Sequence, residues 1–197
     1  YTVEVKDLEG RKLKPYLNYP EAFAKQMFKL GFIQGDGNTG RLASDTHKGL
    51  EVNFGNKDFE VRCLFDVEDT VEDRKVYLTG FNEQMVDLGF SANKLPERPL
   101  PTEFDTLLHP IKADFLRGLY SANGSVLSNG RITLKTTCKE LADQVLEALK
   151  LFDIEGYITT NKPKKVEFPN GEYECKESYD VNIGNYQGRL NFYNNIN

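Results

Sequence analysis

The chain has no tryptophan, only two histidines, two methionines and three cysteines, and no long apolar run. Each shortage removes a class of function. Cys63, Cys138 and Cys175 are odd in number and show neither a CxxC nor a Cys/His spacing, which argues against a disulfide framework and a zinc site and for reduced thiols inside a cell. No stretch approaches the roughly 18 apolar residues of a membrane helix, and the opening YTVEVKDLEGRKLKPYL is charged where a signal peptide would be apolar. A soluble, intracellular protein is expected. His47 and His109 stand apart from each other and read as surface or linker residues. Positive charge is also scarce: 25 Lys and Arg against 30 Asp and Glu leave a net charge of −5. Proteins bound to phosphate usually carry a basic excess on at least one domain, so any nucleic-acid face here must be local.

What is present is a folding chain. Its 197 residues are 39% hydrophobic, with thirteen Phe and ten Tyr, enough to bury one substantial core. The chain also repeats itself. Phe28–Asn38, FKLGFIQGDGN, aligns without gaps on Phe115–Ser125, FLRGLYSANGS, at an offset of 87 residues. Phe28, Gly31 and Gly37 recur as Phe115, Gly118 and Gly124. Each copy is an apolar stretch with an internal glycine, ending in a carboxylate-like residue and another glycine.

Both copies read as helices. Pro20 and Pro110 suit a first helical turn, and Gly37 and Gly124 suit a left-handed residue just past a helix end. Gly31 and Gly118 cost about 1 kcal/mol each relative to alanine inside a helix, which calls for a packing reason such as close approach of two helix backbones. Alternating segments follow each motif: Leu50–Phe54 and Val76–Thr79 in the first half, Arg131–Thr136 and Tyr179–Ile183 in the second. The segment 138–156 has Leu141, Val145, Leu149 and Phe152 at helical spacing and a closing Gly156, while a shorter helix is expected near Phe59. The fold class expected is α+β, two pseudo-symmetric αββαββα-like halves around two central helices. The divisions are 1–18 as an extension, 19–93 as the first half, 94–109 as a proline-rich linker and 110–197 as the second half.

The pair LGFIQGDG (Leu30–Gly37) and RGLYSANG (Arg117–Gly124) resembles the two signature motifs of a monomeric LAGLIDADG homing endonuclease, including the version embedded in inteins. The resemblance implies two central helices packed side by side through Gly31 and Gly118, glycine against glycine, beneath a saddle-shaped pair of antiparallel sheets. It implies a metal site in which Asp36 and the Gly35 carbonyl, with Asn123 and the Ala122 carbonyl, hold Mg²⁺ or Mn²⁺ through hard oxygen ligands. The implied activity is site-specific hydrolysis of double-stranded DNA at a long target, by a monomer. Asn123 stands where the family has its second acid, so cleavage of one strand is expected to be impaired, leaving an enzyme that nicks at most. Three readings of Asn123 stay open: a naturally degenerate enzyme, a deliberate inactivation that traps a DNA complex, or a misaligned motif.

The family also places a basic residue downstream of each motif. Lys94 and Arg98 are the first-half candidates, and an arginine, always protonated, would stabilise charge rather than act as a base. The second-half equivalent would fall just past Asn197. DNA contact is implied for the outward faces of the sheets: Arg41, Ser44, Thr46, Lys48, Asn53, Lys75 and Tyr77 in the first half, and Asn129, Arg131, Thr133, Lys135, Lys176 and Asn182 in the second. Lys162, Lys164 and Lys165 read as a phosphate-contacting loop. Two other functions compete: a non-cleaving protein on the same scaffold, either a DNA-binding remnant or an intron-RNA maturase, and an α+β domain unrelated to nucleic acid.

Overall fold

The computed structural model describes residues 5–6, 12–13, 21–39, 50–54, 58–65, 75–78, 82–168 and 171–196. Pro20, Arg41, Ser44, Thr46, His47 and Lys48 lie outside the described residues, as do the side chains of Asn53, Lys75 and Tyr77. After a two-residue pair, β1 (Val5–Lys6) and β2 (Lys12–Leu13), the first half runs α1 (Glu21–Asp36), β3 (Gly37–Asn38), β4 (Leu50–Asn53), α2 (Phe59–Leu64), β5 (Lys75–Leu78) and α3 (Asn82–Leu88). The second half runs α4 (His109–Asn123), β6 (Gly124–Val126), β7 (Ile132–Thr136), α5 (Lys139–Lys150), β8 (Tyr157–Asn161), β9 (Lys164–Phe168), β10 (Gly171–Cys175), β11 (Ser178–Ile183) and α6 (Tyr186–Asn195), with four described strands before its last helix where the first half has one. The sheets are antiparallel, ordered β3-β4-β5 and β6-β7-β11-β8, with β9 and β10 forming a separate hairpin. The class is α+β, as expected. No helix among the described residues is long and apolar enough to cross a membrane.

The centre of the molecule is the contact between α1 and α4. A Cβ placed on Gly31 would lie 1.9 Å from the carbonyl oxygen of Phe115, and one placed on Gly118 would lie 1.9 Å from that of Phe28. Since Phe28 and Phe115 are themselves equivalent in the repeat, the contact is reciprocal. Each glycine therefore meets a phenylalanine carbonyl of the other helix rather than the other glycine. Around this crossing Phe32, Ile33, Phe115, Leu116 and Leu119 are fully buried. Phe32 stacks on Phe54 at 5.5 Å and meets the edge of Phe65 at 5.8 Å, which joins α1 to β4 and α2.

The helix ends differ from the expectation. Gly124 is extended (φ −89°, ψ 160°), not left-handed, and Gly37 opens β3. Both helices turn straight into a strand, and that abrupt exit explains the glycines: a Cβ would lie 2.5 Å from the Ile33 carbonyl oxygen at Gly37 and 2.3 Å from that of Tyr120 at Gly124. The long helix of the second half also stops early, at Lys150, because Asp153 takes the left-handed position (φ 55°), which aspartate tolerates better than most residues. Gly156 instead packs under the sheet, where a Cβ would lie 2.8 Å from the Asn182 carbonyl oxygen. At the other end the Cys138 thiol accepts a hydrogen bond from the Leu141 amide.

The segment expected as a linker is part of the core. Two short 3₁₀ turns, Leu95–Glu97 and Phe104–Thr106, carry it across the molecule, and Leu100, Phe104 and Leu107 are buried. Phe104 meets the ring of Phe115 edge-on at 5.3 Å, the Leu100 amide donates to the Gln144 side chain at 2.7 Å, and Lys112 donates to the Asp105 carbonyl at 3.0 Å.

Propensity alone makes Gly→Ala in a helix stabilising by about 1 kcal/mol. The crossing reverses the sign. Gly31→Ala and Gly118→Ala should each destabilise the protein by about 2–3 kcal/mol, because the new methyl group meets a backbone carbonyl that cannot rotate away. Urea unfolding followed by circular dichroism reads this; unchanged or increased stability would show that the helices do not approach so closely.

Candidate active site

Asp36 is the last residue of α1 and Asn123 the last of α4. The ends converge: a Cβ on Gly35 would lie 2.5 Å from the Ala122 Cβ and 2.8 Å from the Asn123 amide nitrogen, so the Asn123 side chain rests on α1 one residue before Asp36. Asp36 itself is half-buried on the wall of a cleft of about 610 Å³, which it shares with Gly35 and Asn38 on one side and with Asn93, Lys94 and Pro96 on the other.

The carboxyl is electrostatically uncomfortable. Burial, reinforced by the charge of Asp58 at the start of α2, pushes Asp36 up to about 6. A carboxylate at a helix carboxyl end also opposes the helix dipole, whose negative pole lies there. Asp58 carried no sign of this in the sequence, where it reads only as a polar residue opening a short helix.

Arg98 and Lys94, the two basic candidates, have different environments. Arg98 is 3% exposed and donates to the carbonyls of Gln34 at 3.1 Å, Gly37 at 2.9 Å and Asn93 at 3.3 Å. It caps the last turn of α1, complementing the negative pole, and burial lowers its pKa to about 10, still protonated at neutral pH. Its Nε and Nη1 donors are committed to backbone, so it fixes the helix end that carries Asp36. Gln34 joins the same lock: 1% exposed, it donates to the Pro99 carbonyl at 2.8 Å. Lys94 is exposed at the cleft mouth.

Residues 110–196 match the model of the LAGLIDADG-like domain. The solved structure of I-DmoI in complex with DNA and Mn superposes with a TM-score of 0.56 at 14% identity, over 89% of this chain and 97% of that one. The homing endonuclease I-WcaI bound to its DNA recognition sequence gives 0.52 at 16% identity, over 93% and 89%. The N-terminal LAGLIDADG domain of DUF199/WhiA gives 0.51 at 14% identity, over 92% and 84%. This chain has the LAGLIDADG fold.

Within this fold the second sheet presents a polar face away from α5. Leu134, Val181 and Ile183 point to the core, and the alternate positions form the polar side. Arg131 and Lys135 remain accessible there, and Arg131 donates to the Tyr157 hydroxyl at 3.2 Å. Asp180, opposite Lys135 in register, accepts from Asn161 at 3.0 Å. Thr133 and Asn182, expected as contact residues, are instead buried at 8% and 1%, and the Asn182 amide is taken up by Thr159 at 2.6 Å. They form the floor of this face. Asn129 is exposed in the β6–β7 turn, where its side chain accepts from the Arg131 amide at 3.0 Å, and Lys176 is exposed between β10 and β11.

The expected phosphate loop is also different in kind. Lys162 lies in the turn after β8, but Lys164 and Lys165 belong to β9 of the hairpin. There Lys165 stands opposite Glu174, and Glu167 opposite Glu172, so the hairpin is mixed in charge rather than basic. Tyr157 and Thr159 lie among the face residues that the sequence reading missed; the strand period of YITTN is their signal.

Two outcomes follow from the site. Because the native state keeps the Asp36 proton to higher pH than the unfolded chain, stability falls as pH rises from about 4 to about 6. Asp36→Asn should thus stabilise the metal-free protein by about 1–2 kcal/mol at pH 7.5, the shift being discounted for a partly solvated carboxyl, and by nothing at pH 4. Denaturant titrations at the two pH values check it. Arg98→Met should cost about 3 kcal/mol by leaving the α1 carbonyls uncapped, whereas Lys94→Met should change stability by less than about 0.5 kcal/mol; equal costs would contradict the two assignments.

Proposed function

We propose that this chain is a DNA endonuclease that hydrolyses phosphodiester bonds in duplex DNA at a long target with a divalent metal ion, weakened on one strand because Asn123 supplies no charge. The observation that carries the reading is that the ends of α1 and α4 meet where Gly35 packs on Ala122 and Asn123, beside the cleft that Asp36 lines. The Asp36 carboxylate, the Gly35 and Ala122 carbonyls and the Asn123 amide oxygen are all hard oxygen donors, the chemistry Mg²⁺ and Mn²⁺ prefer. I-DmoI has been solved with DNA and Mn and with DNA and Ca, which supports the choice of ion. Among the described residues no group of three or more His, Cys, Asp or Glu gathers here, so the ion would depend on the substrate phosphate to complete its shell.

When bound, the ion would activate water and stabilise the leaving oxygen. The residues of the chain do the rest. Above pH 6 Asp36 is ionised and ready to ligate. Arg98 and Gln34 keep the helix end still, a positioning role. Lys94, exposed at the cleft, is the candidate for contact with the scissile phosphate or its attacking water. Arg131, Lys135, Tyr157 and Asp180 are placed to read base edges, with Lys162, Lys164 and Lys176 available to phosphates.

A second reading has its own support. Asn123, uncharged where the motif of the first half has Asp36, favours a protein that binds nucleic acid without cutting it. A supercoiled plasmid carrying a target selected by binding from a random duplex pool separates the two. With Mg²⁺ the chain should nick slowly, Asn123→Asp should linearise, and Asp36→Ala should abolish nicking while retaining affinity. Affinity should fall steeply with salt. Binding without nicking by any variant supports the non-cleaving reading, and absence of duplex binding removes both.

A further inference from the structure

Residues from Ala92 to Pro96, with Arg98, form one wall of the Asp36 cleft. The run that leaves this wall, Arg98-Pro99-Leu100-Pro101, is stiff by composition. Each proline fixes its own φ and biases the residue before it to an extended conformation, and Arg98 is extended (φ −109°, ψ 95°). The two prolines also remove two backbone donors, so the Leu100 N–H is the single amide donor between Arg98 and Thr102. Beyond it the Thr102 and Glu103 amides each donate at 3.1 Å, to the Gly89 and Leu88 carbonyls, which ties the run to the end of α3.

The Leu100 amide goes to the other half of the molecule. It donates at 2.7 Å to the side-chain oxygen of Gln144, a half-buried residue in the second turn of α5. The Leu100 side chain is 6% exposed and anchors the run by burial, which has no direction; the hydrogen bond supplies one. Two residues upstream Arg98 donates to the Gln34 and Gly37 carbonyls on either side of Asp36, and Gln34 donates back to the Pro99 carbonyl. A stiff run moves as a unit, so a displaced Leu100 carries Pro99 and Arg98 with it.

We infer that Gln144 is a positioning residue for the Asp36 cleft: from the second half it holds the Arg98–Pro101 run where Arg98 caps the end of α1. Gln144 does not line the cleft and acts through Leu100 and Arg98. Its effect on cleavage rests on the endonuclease reading; its hold on the cleft wall does not.

Two variants separate the acceptor from the bulk. Gln144→Glu keeps an acceptor oxygen at the same reach, and Gln144→Met keeps the length without one. In the ¹⁵N-labelled protein without DNA or metal, the Leu100 amide and the Arg98 Nε–H should exchange with solvent about tenfold faster in Gln144→Met, with the α4 amides unchanged, and at the wild-type rate in Gln144→Glu. On the plasmid described above, single-turnover nicking with enzyme in excess should slow about tenfold in Gln144→Met at unchanged DNA affinity, and recover in Gln144→Glu. Unchanged Arg98 exchange in Gln144→Met, faster exchange in α4 as well, a loss that glutamate does not rescue, or faster Arg98 exchange with unaltered nicking would each overturn the proposal. The expected Arg98 response without nicking by the wild type or any variant would remove the endonuclease reading and support the hold of Gln144 on the cleft wall.

Discussion

The structure depends on two helices approaching until backbone meets backbone. Gly31 sits on the Phe115 carbonyl and Gly118 on the Phe28 carbonyl, with no space for even a methyl group at either point. The proposed site follows from that distance. Helices separated by ordinary side chains would hold their ends apart, whereas here Gly35 packs directly on Ala122 and Asn123. The same closeness explains why the surrounding core is rich in large rings: Phe32, Phe54 and Phe65 on one flank, and Phe90, Phe104 and Phe115 on the other, fill the wedges beside a crossing that contributes little side-chain volume itself.

The site is held against its own electrostatics. Asp36 lies at the negative end of α1, partly desolvated and under the influence of Asp58, and a chain selected only for stability would not place a carboxyl there. Arg98 offsets the strain at the backbone rather than at the carboxyl, by taking the Gln34 and Gly37 carbonyls on either side of Asp36. In the second half the equivalent position is Asn123, an amide that carries no charge.

Much of this was legible in the residues. The repeat at offset 87, the internal glycines and the alternation after each motif led to the α+β class and to the two helices. What misled was local glycine chemistry: Gly37 and Gly124 look like left-handed caps but serve a helix that turns directly into a strand, which only the Ile33 and Tyr120 carbonyls reveal. The proline-rich stretch reads as the connection between the halves; that it is packed, with Leu100, Phe104 and Leu107 buried, leaves no periodic trace in the sequence. Asp58, Gln34 and the buried state of Asn182 depend on tertiary neighbours and leave no periodic trace. The lysines of β9 looked basic because their acidic partners arrive a hairpin later in the chain.

The most direct test of the account is paramagnetic relaxation by Mn²⁺ in the ¹⁵N-labelled protein bound to duplex DNA. If the two helix ends make one oxygen-donor site, substoichiometric Mn²⁺ will broaden the amides of Gly35, Asp36, Ala122 and Asn123 together and leave those of α5 sharp. Broadening confined to Asp36, or spread over Glu140, Asp143 and Glu147 of α5, would contradict it.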